Sequence, residues 1–173
     1  MPGIILDSYG VKYSSIKTHT SRDVEIINEQ CDTLFYQQDV AYSNSLGPQF
    51  ESEFQGSPNP FYNCHGLTFA CKRTCILDDA EVWKIIKSEY IEIKVHKDVI
   101  VGDVILYFYG QDESFILHSG IVVAVNKGIG LDFKIYSKVK KGREIVHQYN
   151  KGPYYKGHIK FYRIDYADRI KTN

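Results

Sequence analysis

The pattern of hydrophobic and polar positions changes period near residue 90, with helical spacing before it and strand spacing after it. In Asp78-Asp79-Ala80-Glu81-Val82-Trp83-Lys84-Ile85-Ile86, the residues Val82, Ile85 and Ile86 recur at i, i+3 and i+4 behind acidic residues. This predicts a helix that ends near Tyr90. Asn63 is of a capping type, and the stretch after it predicts a second helix that begins at Cys64 and runs to about Cys75. On such a helix Cys64, Cys71 and Cys75 share one face. The turn-rich stretch 42–60 holds three of the five prolines, Pro48, Pro58 and Pro60, and reads as a long surface connection that delivers the chain to Tyr62-Asn63-Cys64. Residues 23–35 fit a helix or a strand.

Beyond residue 90, positions 91–95 alternate and Gly102-Asp103 marks a turn. Val104-Ile105-Leu106-Tyr107-Phe108 reads as a buried strand, and 118–125, 133–137 and 158–164 as three more, with a glycine-containing turn over 126–130. Helices first and an antiparallel meander second predict an α+β domain, with the helices packed on a mainly antiparallel sheet.

A chain of 173 residues fits one domain over 1–173, with a core of about 59–165 and an N-terminal extension 1–58. Lys and Arg number 21, as do Asp and Glu, so no net field gathers nucleic acid, and no nucleic-acid partner is expected. Nor does any apolar run reach the length of a membrane span or a secretory leader; no membrane partner is expected, and the location is cytoplasmic, or outside the cell by export without a cleavable signal. In that setting the four cysteines, Cys31, Cys64, Cys71 and Cys75, are expected as reduced thiols. Cys64, His65, Cys71 and Cys75 do not supply the paired-cysteine spacing of structural zinc sites, so no metal and no other cofactor is expected. Gly128-Ile129-Gly130 reads as turn chemistry rather than a phosphate loop. Oligomeric state is left open.

A nucleophilic cysteine needs a lowered pKa and a partner that takes its proton. A helix N-terminus favours the thiolate, and Cys64 lies at one; the competing reading makes it a small core residue. His118 opens the apolar run at 120–125, and alternation puts Gly120 and Val122 on its face, where a glycine admits a helix close to the strand. The imidazole then needs a third group to orient it. A turn centred near Gly128 brings Ser137 or Lys138 opposite His118, and Ser137 can accept the bond; His147 is the other candidate. His65 points about 100° away from Cys64 on the helix and reads as a cleft or surface residue. His19, His96 and His158 have no evident partner.

Tyr62-Asn63-Cys64 at a helix start, Val101-Gly102-Asp103-Val104-Ile105-Leu106-Tyr107, His118-Ser119-Gly120-Ile121-Val122-Val123, Tyr136-Ser137-Lys138 and a downstream His147 resemble the NlpC-type branch of papain-like cysteine peptidases and amidases. More narrowly they resemble an uncharacterised bacterial set with an Asn-Cys helix start, a Gly-Asp-Val strand, a His-strand and a Ser-Lys pair. The similarity spans about residues 59–147, and the order of the motifs carries it. It implies a papain-like α+β core and hydrolysis of amide bonds, often in peptidoglycan stem peptides, through a thioester. Cys64 matches the nucleophile, His118 the base, and Ser137 or His147 the third polar residue. Asn63, His65 and Tyr62, which flank the thiol, are the candidates for the oxyanion site and cleft. Many relatives carry a histidine where this chain has Ser137, and the usual aromatic and glycine after Ser-Lys are replaced by Val139-Lys140-Lys141-Gly142. The expected partner is a peptide or amide-containing substrate. An acyl or peptide transferase using the same thioester, and a catalytically silent binding module on the same fold, are the alternatives.

Overall fold

A computed structural model of the chain describes residues 4–6, 12–17, 24–28, 35–50, 53–126, 128 and 130–165. Cys31 and His19 lie outside them. Strands β1 (Ile4–Leu6), β2 (Lys12–Lys17) and β3 (Glu25–Asn28) form a small antiparallel sheet in that order. Thus part of the ambiguous stretch 23–35 is a strand. Helix α1 (Tyr36–Gln49), β4 (Glu53–Gln55), α2 (Cys64–Phe69) and α3 (Asp79–Glu89) follow. Then come β5 (Tyr90–Ile93), a single 3₁₀ turn at His96–Asp98, β6 (Val104–Tyr109), β7 (Asp112–Asn126), β8 (Asp132–Lys138), β9 (Glu144–Gln148) and β10 (Ile159–Ile164). The second sheet has seven strands in the order β4-β9-β8-β7-β6-β10-β5, and each of its pairs is antiparallel. The class is α+β, as the order of periods predicts.

Both faces of the large sheet are buried. Phe69 of α2 and its C-cap Ala70, with Val82, Ile85 and Ile86 of α3, pack on Val104, Leu106, Phe108, Ile116 and Tyr162. On the opposite face Ile105, Tyr107, Val122, Phe133, Ile135 and Phe161 are covered in part by Tyr149 and Tyr154, from the loop between β9 and β10. Strand β6, covered on both faces, therefore reads as a continuous apolar run rather than an alternating one. Asp78 caps α3 by accepting from Ala80 N–H at 2.8 Å, and the predicted apolar face is the buried one.

Elements α1, β4 and α2 differ from the sequence expectation: β4 is an edge strand on β9, inside the stretch expected as a surface connection. The first half of the predicted surface connection is α1, whose amphipathic signal is weak because tertiary contacts hold it: Leu46 packs on Val139 and Ile145, while Ser43 and Asp39 lie against Gly142. A side chain at Gly142 would stand 2.3 Å from the Ser43 hydroxyl. Helix α2 stops at Phe69 rather than near Cys75, because the Gly66 carbonyl accepts from both Ala70 and Lys72, and Cys71 and Lys72 turn left-handed with φ of 44° and 64°. The common helical face of Cys64, Cys71 and Cys75 does not form. Cys71 is exposed and free, Cys64 is free, and Cys75 is buried and disulfide-bonded, which corrects the expectation of four reduced thiols. Pairing follows which sulphurs the fold brings together, and composition does not encode that.

Candidate active site

Asn63 builds the start of α2. Its Oδ1 accepts from Gly66 N–H at 2.9 Å and from Ile76 N–H at 3.1 Å, and its Nδ2 donates to Ile76 O at 2.6 Å. One side chain thus caps the helix and ties it to the segment that returns beneath it. Gly66 permits that closeness, since a Cβ there would lie 1.8 Å from the Thr74 carbonyl oxygen. Cys64 follows the cap as the first residue of the helix and is buried. Burial pushes its thiol up to about 11; the backbone N–H groups of Ser119, His65 and Cys64 itself act the other way, each favouring charge on the sulphur.

His118 is inside β7 rather than at its start, because the strand begins at Asp112. Alternation separates it from its neighbour. Ser119 faces α2, bonding His65 Nδ1 at 2.8 Å and Thr68 Oγ1 at 3.0 Å, whereas His118 lies on the opposite face beside Tyr107 and Tyr154. The body of α2 therefore does not approach Gly120 on the His118 face; a Cβ at Gly120 would meet Ile135 Cγ2 of β8 at 2.5 Å. What joins the two halves of the site is the end of the helix. The Cys64 sulphur meets the N–H of Ser119, the residue next to His118, and Cys64 and His118 line one cavity of about 680 Å³ together with Asn63, His65, Asp79 and Tyr154.

His118 is 1 % exposed, and its Nε2 has no hydrogen-bond partner among the described residues. Burial, with His147 and His65 nearby, holds its pKa well below the ordinary histidine value, so the ring is neutral. The hairpin between β7 and β8 is closed by Asn126 and Asp132, one residue beyond a turn centred on Gly128, so Ser137 stands opposite Gly120 rather than His118; the bulge between Val122 and Ala124 takes back only one residue of that offset. Its hydroxyl lies 3.1 Å from His147 Nε2, while His147 Nδ1 donates to Gln148 O at 2.8 Å. A carbonyl only accepts, so Nδ1 carries the ring proton and Nε2 takes the Ser137 proton. Ser137 and His147, on β8 and β9, thus bond each other, and neither supplies the partner of His118 Nε2.

The same reasoning fixes the hydroxyl chain at His65. Thr68 Oγ1 donates to Cys64 O at 2.9 Å, so Ser119 donates to Thr68 and receives the Nδ1 proton of His65. Burial lowers His65 to about 4, and it too is neutral.

Tyr62 turns away from the thiol. It and Tyr136 both donate to Glu144, which Lys72 also approaches, at 2.9 Å and 3.1 Å from its two oxygens. The Tyr62 ring lies 4.4 Å from the fully buried Lys138 ammonium, which donates to Gly142 O at 2.6 Å. Burial lowers Lys138 to about 8, partly offset by Glu144. The Gly102-Asp103 pair serves structure: Asp103 grips Arg163 of β10 through two bonds of 2.8 Å and accepts from Ile100 N–H at 2.7 Å.

Tyr154 is the residue that sequence reasoning missed at this site. It stacks on the His118 ring at 4.1 Å between centroids and 22° between planes. It lies in a turn-rich loop with no period to betray it.

Among the described residues no group of three or more His, Cys, Asp and Glu is arranged to hold a metal ion, and no helix is long and apolar enough to cross a membrane. No family model matches the chain, and no curated protein or solved structure is significantly similar to it.

Proposed function

We propose that the protein is a cysteine-dependent hydrolase of amide bonds, built on a papain-like core of the NlpC type, with Cys64 as nucleophile and His118 as base. The observation that carries the reading is the shared cavity of Cys64, at a capped helix start, and His118, a buried neutral imidazole with an unpaired Nε2. Both groups start neutral, so the proton leaves the thiol as the sulphur attacks, rather than beforehand as in a resting ion pair. A bond forms between Sγ and the substrate carbonyl carbon, the thiol proton passes to His118, and the N–H groups around the sulphur and helix start stabilise the developing charge. His118 then returns the proton to the leaving amine. Water cleaves the thioester with His118 again as base, restoring thiol and imidazole.

A silent binding module on the same fold is the second reading, and the upward push on the Cys64 thiol favours it. Acetylation by p-nitrophenyl acetate separates the two, read as nitrophenolate release with the modified residue located by mass spectrometry. The hydrolase acquires one acetyl group at Cys64, about a hundredfold more slowly in His118→Asn. An unmodified Cys64 with no nitrophenolate release above the uncatalysed rate, or equal rates in the two proteins, leaves the binding module.

A further inference from the structure

A catalytic imidazole is useful only if its plane is held, and in this site a hydrogen bond at Nε2 does not hold it. The ring is gripped by faces instead. Tyr154 stacks on it at 4.1 Å and 22°, and Tyr107, its cross-strand partner on β6, lies at 5.7 Å and 48°. Tyr154 is itself fixed at two points. Its hydroxyl is bonded by the backbone N–H of Lys140, and its loop is tied down by bonds from Lys151 N–H to Gln148 O at 3.1 Å and from Tyr155 N–H to Gly152 O at 3.1 Å. Beneath that loop Gly152 rests on the His147 ring so closely that a Cβ would stand 2.5 Å from Cε1. Ser137 holds His147 in turn.

We infer that Tyr154 is the positioning residue for His118: its ring face, carried on a loop seated on the Ser137–His147 pair, sets the plane of the imidazole in place of a third polar group. The inference rests on the proposed role of His118 as base. It gives Ser137 and His147 a task at one remove, as the seat of the loop rather than as hydrogen-bond partners of the base. It also explains a partly buried aromatic wall on a cavity whose other walls include Asp39, Asp79 and Lys140.

Two substitutions separate the ring face from the hydroxyl. Tyr154→Phe keeps the stack and loses the bond to Lys140; Tyr154→Leu keeps bulk and loses the stack. Acetylation of Cys64 by p-nitrophenyl acetate stays within about twofold of the wild-type rate in Tyr154→Phe and falls about tenfold in Tyr154→Leu, the upper range for a specific aromatic pair. The proton resonances of the His118 ring, shifted upfield by the stacked tyrosine, keep that shift in Tyr154→Phe and lose it in Tyr154→Leu. A folded Tyr154→Leu protein with the wild-type rate overturns the inference, as does a Tyr154→Phe protein slowed tenfold. If Tyr154→Leu does not fold, Tyr154→Phe decides alone: rate and upfield shift both kept support the stack, and loss of either refutes it. His118→Asn guards the premise. Unchanged acetylation in that variant defeats the hydrolase reading, while the ring-current shift, read in the wild type and the Tyr154 variants that keep His118, still reports whether the stack exists.

Discussion

Lowering the pH from 7 to about 5.5 puts a calculable load on the fold, because His65 is buried and neutral, with its pKa held at about 4 against 6.5 for an ordinary histidine. The folded-state value is depressed, so as pH falls through 6.5 the unfolded chain takes up a proton that the folded chain refuses. Stability is therefore lost from 6.5 downward, and the loss from this group levels off near 4. At pH 5.5 the unfolded histidine is about nine-tenths protonated, and relative to pH 7 the cost from His65 is about 1 kcal/mol. His118 and His147, also depressed by burial, add losses of the same sign. Against a folding stability of about 5–15 kcal/mol the change is large enough to measure. Urea denaturation at the two pH values, on the wild type and on His65→Asn, isolates the His65 share. Asn can still donate toward Ser119 but does not titrate. The wild type loses more stability between the two pH values than His65→Asn does, by about 1 kcal/mol. Equal losses in the two proteins refute the neutral His65 and with it the proton chain derived through Ser119 and Thr68 to the Cys64 carbonyl.

The depressed His118 also sets the shape of the rate profile. Its base form persists below pH 6.5, so the acid limb of Cys64 acetylation has its midpoint below 6.5, and a midpoint at or above that value contradicts a buried neutral base. Gly66→Ala drives a Cβ into the Thr74 carbonyl, a backbone atom that cannot rotate aside. It costs about 3 kcal/mol or more in urea denaturation, because α2 must lift from the returning segment that Asn63 ties to it.

Local signals made one half of the candidate site legible. Asn63 before Cys64 announced a capped helix start, and the cap is present with the thiol in the first turn. Asp78 and the spacing of Val82, Ile85 and Ile86 likewise located α3 to within a residue at either end. Strand β6 was visible because both its faces are buried and its residues form one apolar run. The class followed from the order of helical and strand periods alone, since a change of period is written in the chain and needs no partner to be read.

What the chain alone left open depends on residues far apart in sequence. Helix α1 has little amphipathic pattern of its own and stands because Ser43 and Asp39 meet Gly142, about a hundred residues on. The place where the β7–β8 hairpin closes, with a one-residue bulge in β7, set Ser137 opposite Gly120, and its hydroxyl meets His147 instead of His118. The alternation of a strand, true as read, set His118 and the body of α2 on opposite faces, and only the helix terminus reaches the cavity they share. Tyr154 came to the His118 ring from a loop with no period, because stacking is a relation between two surfaces and neither sequence neighbourhood records it. Residue types and their spacing thus determined which groups can do chemistry and which elements carry them. Register, sheet face and loop seating, which depend on non-local packing, decided which of those groups meet.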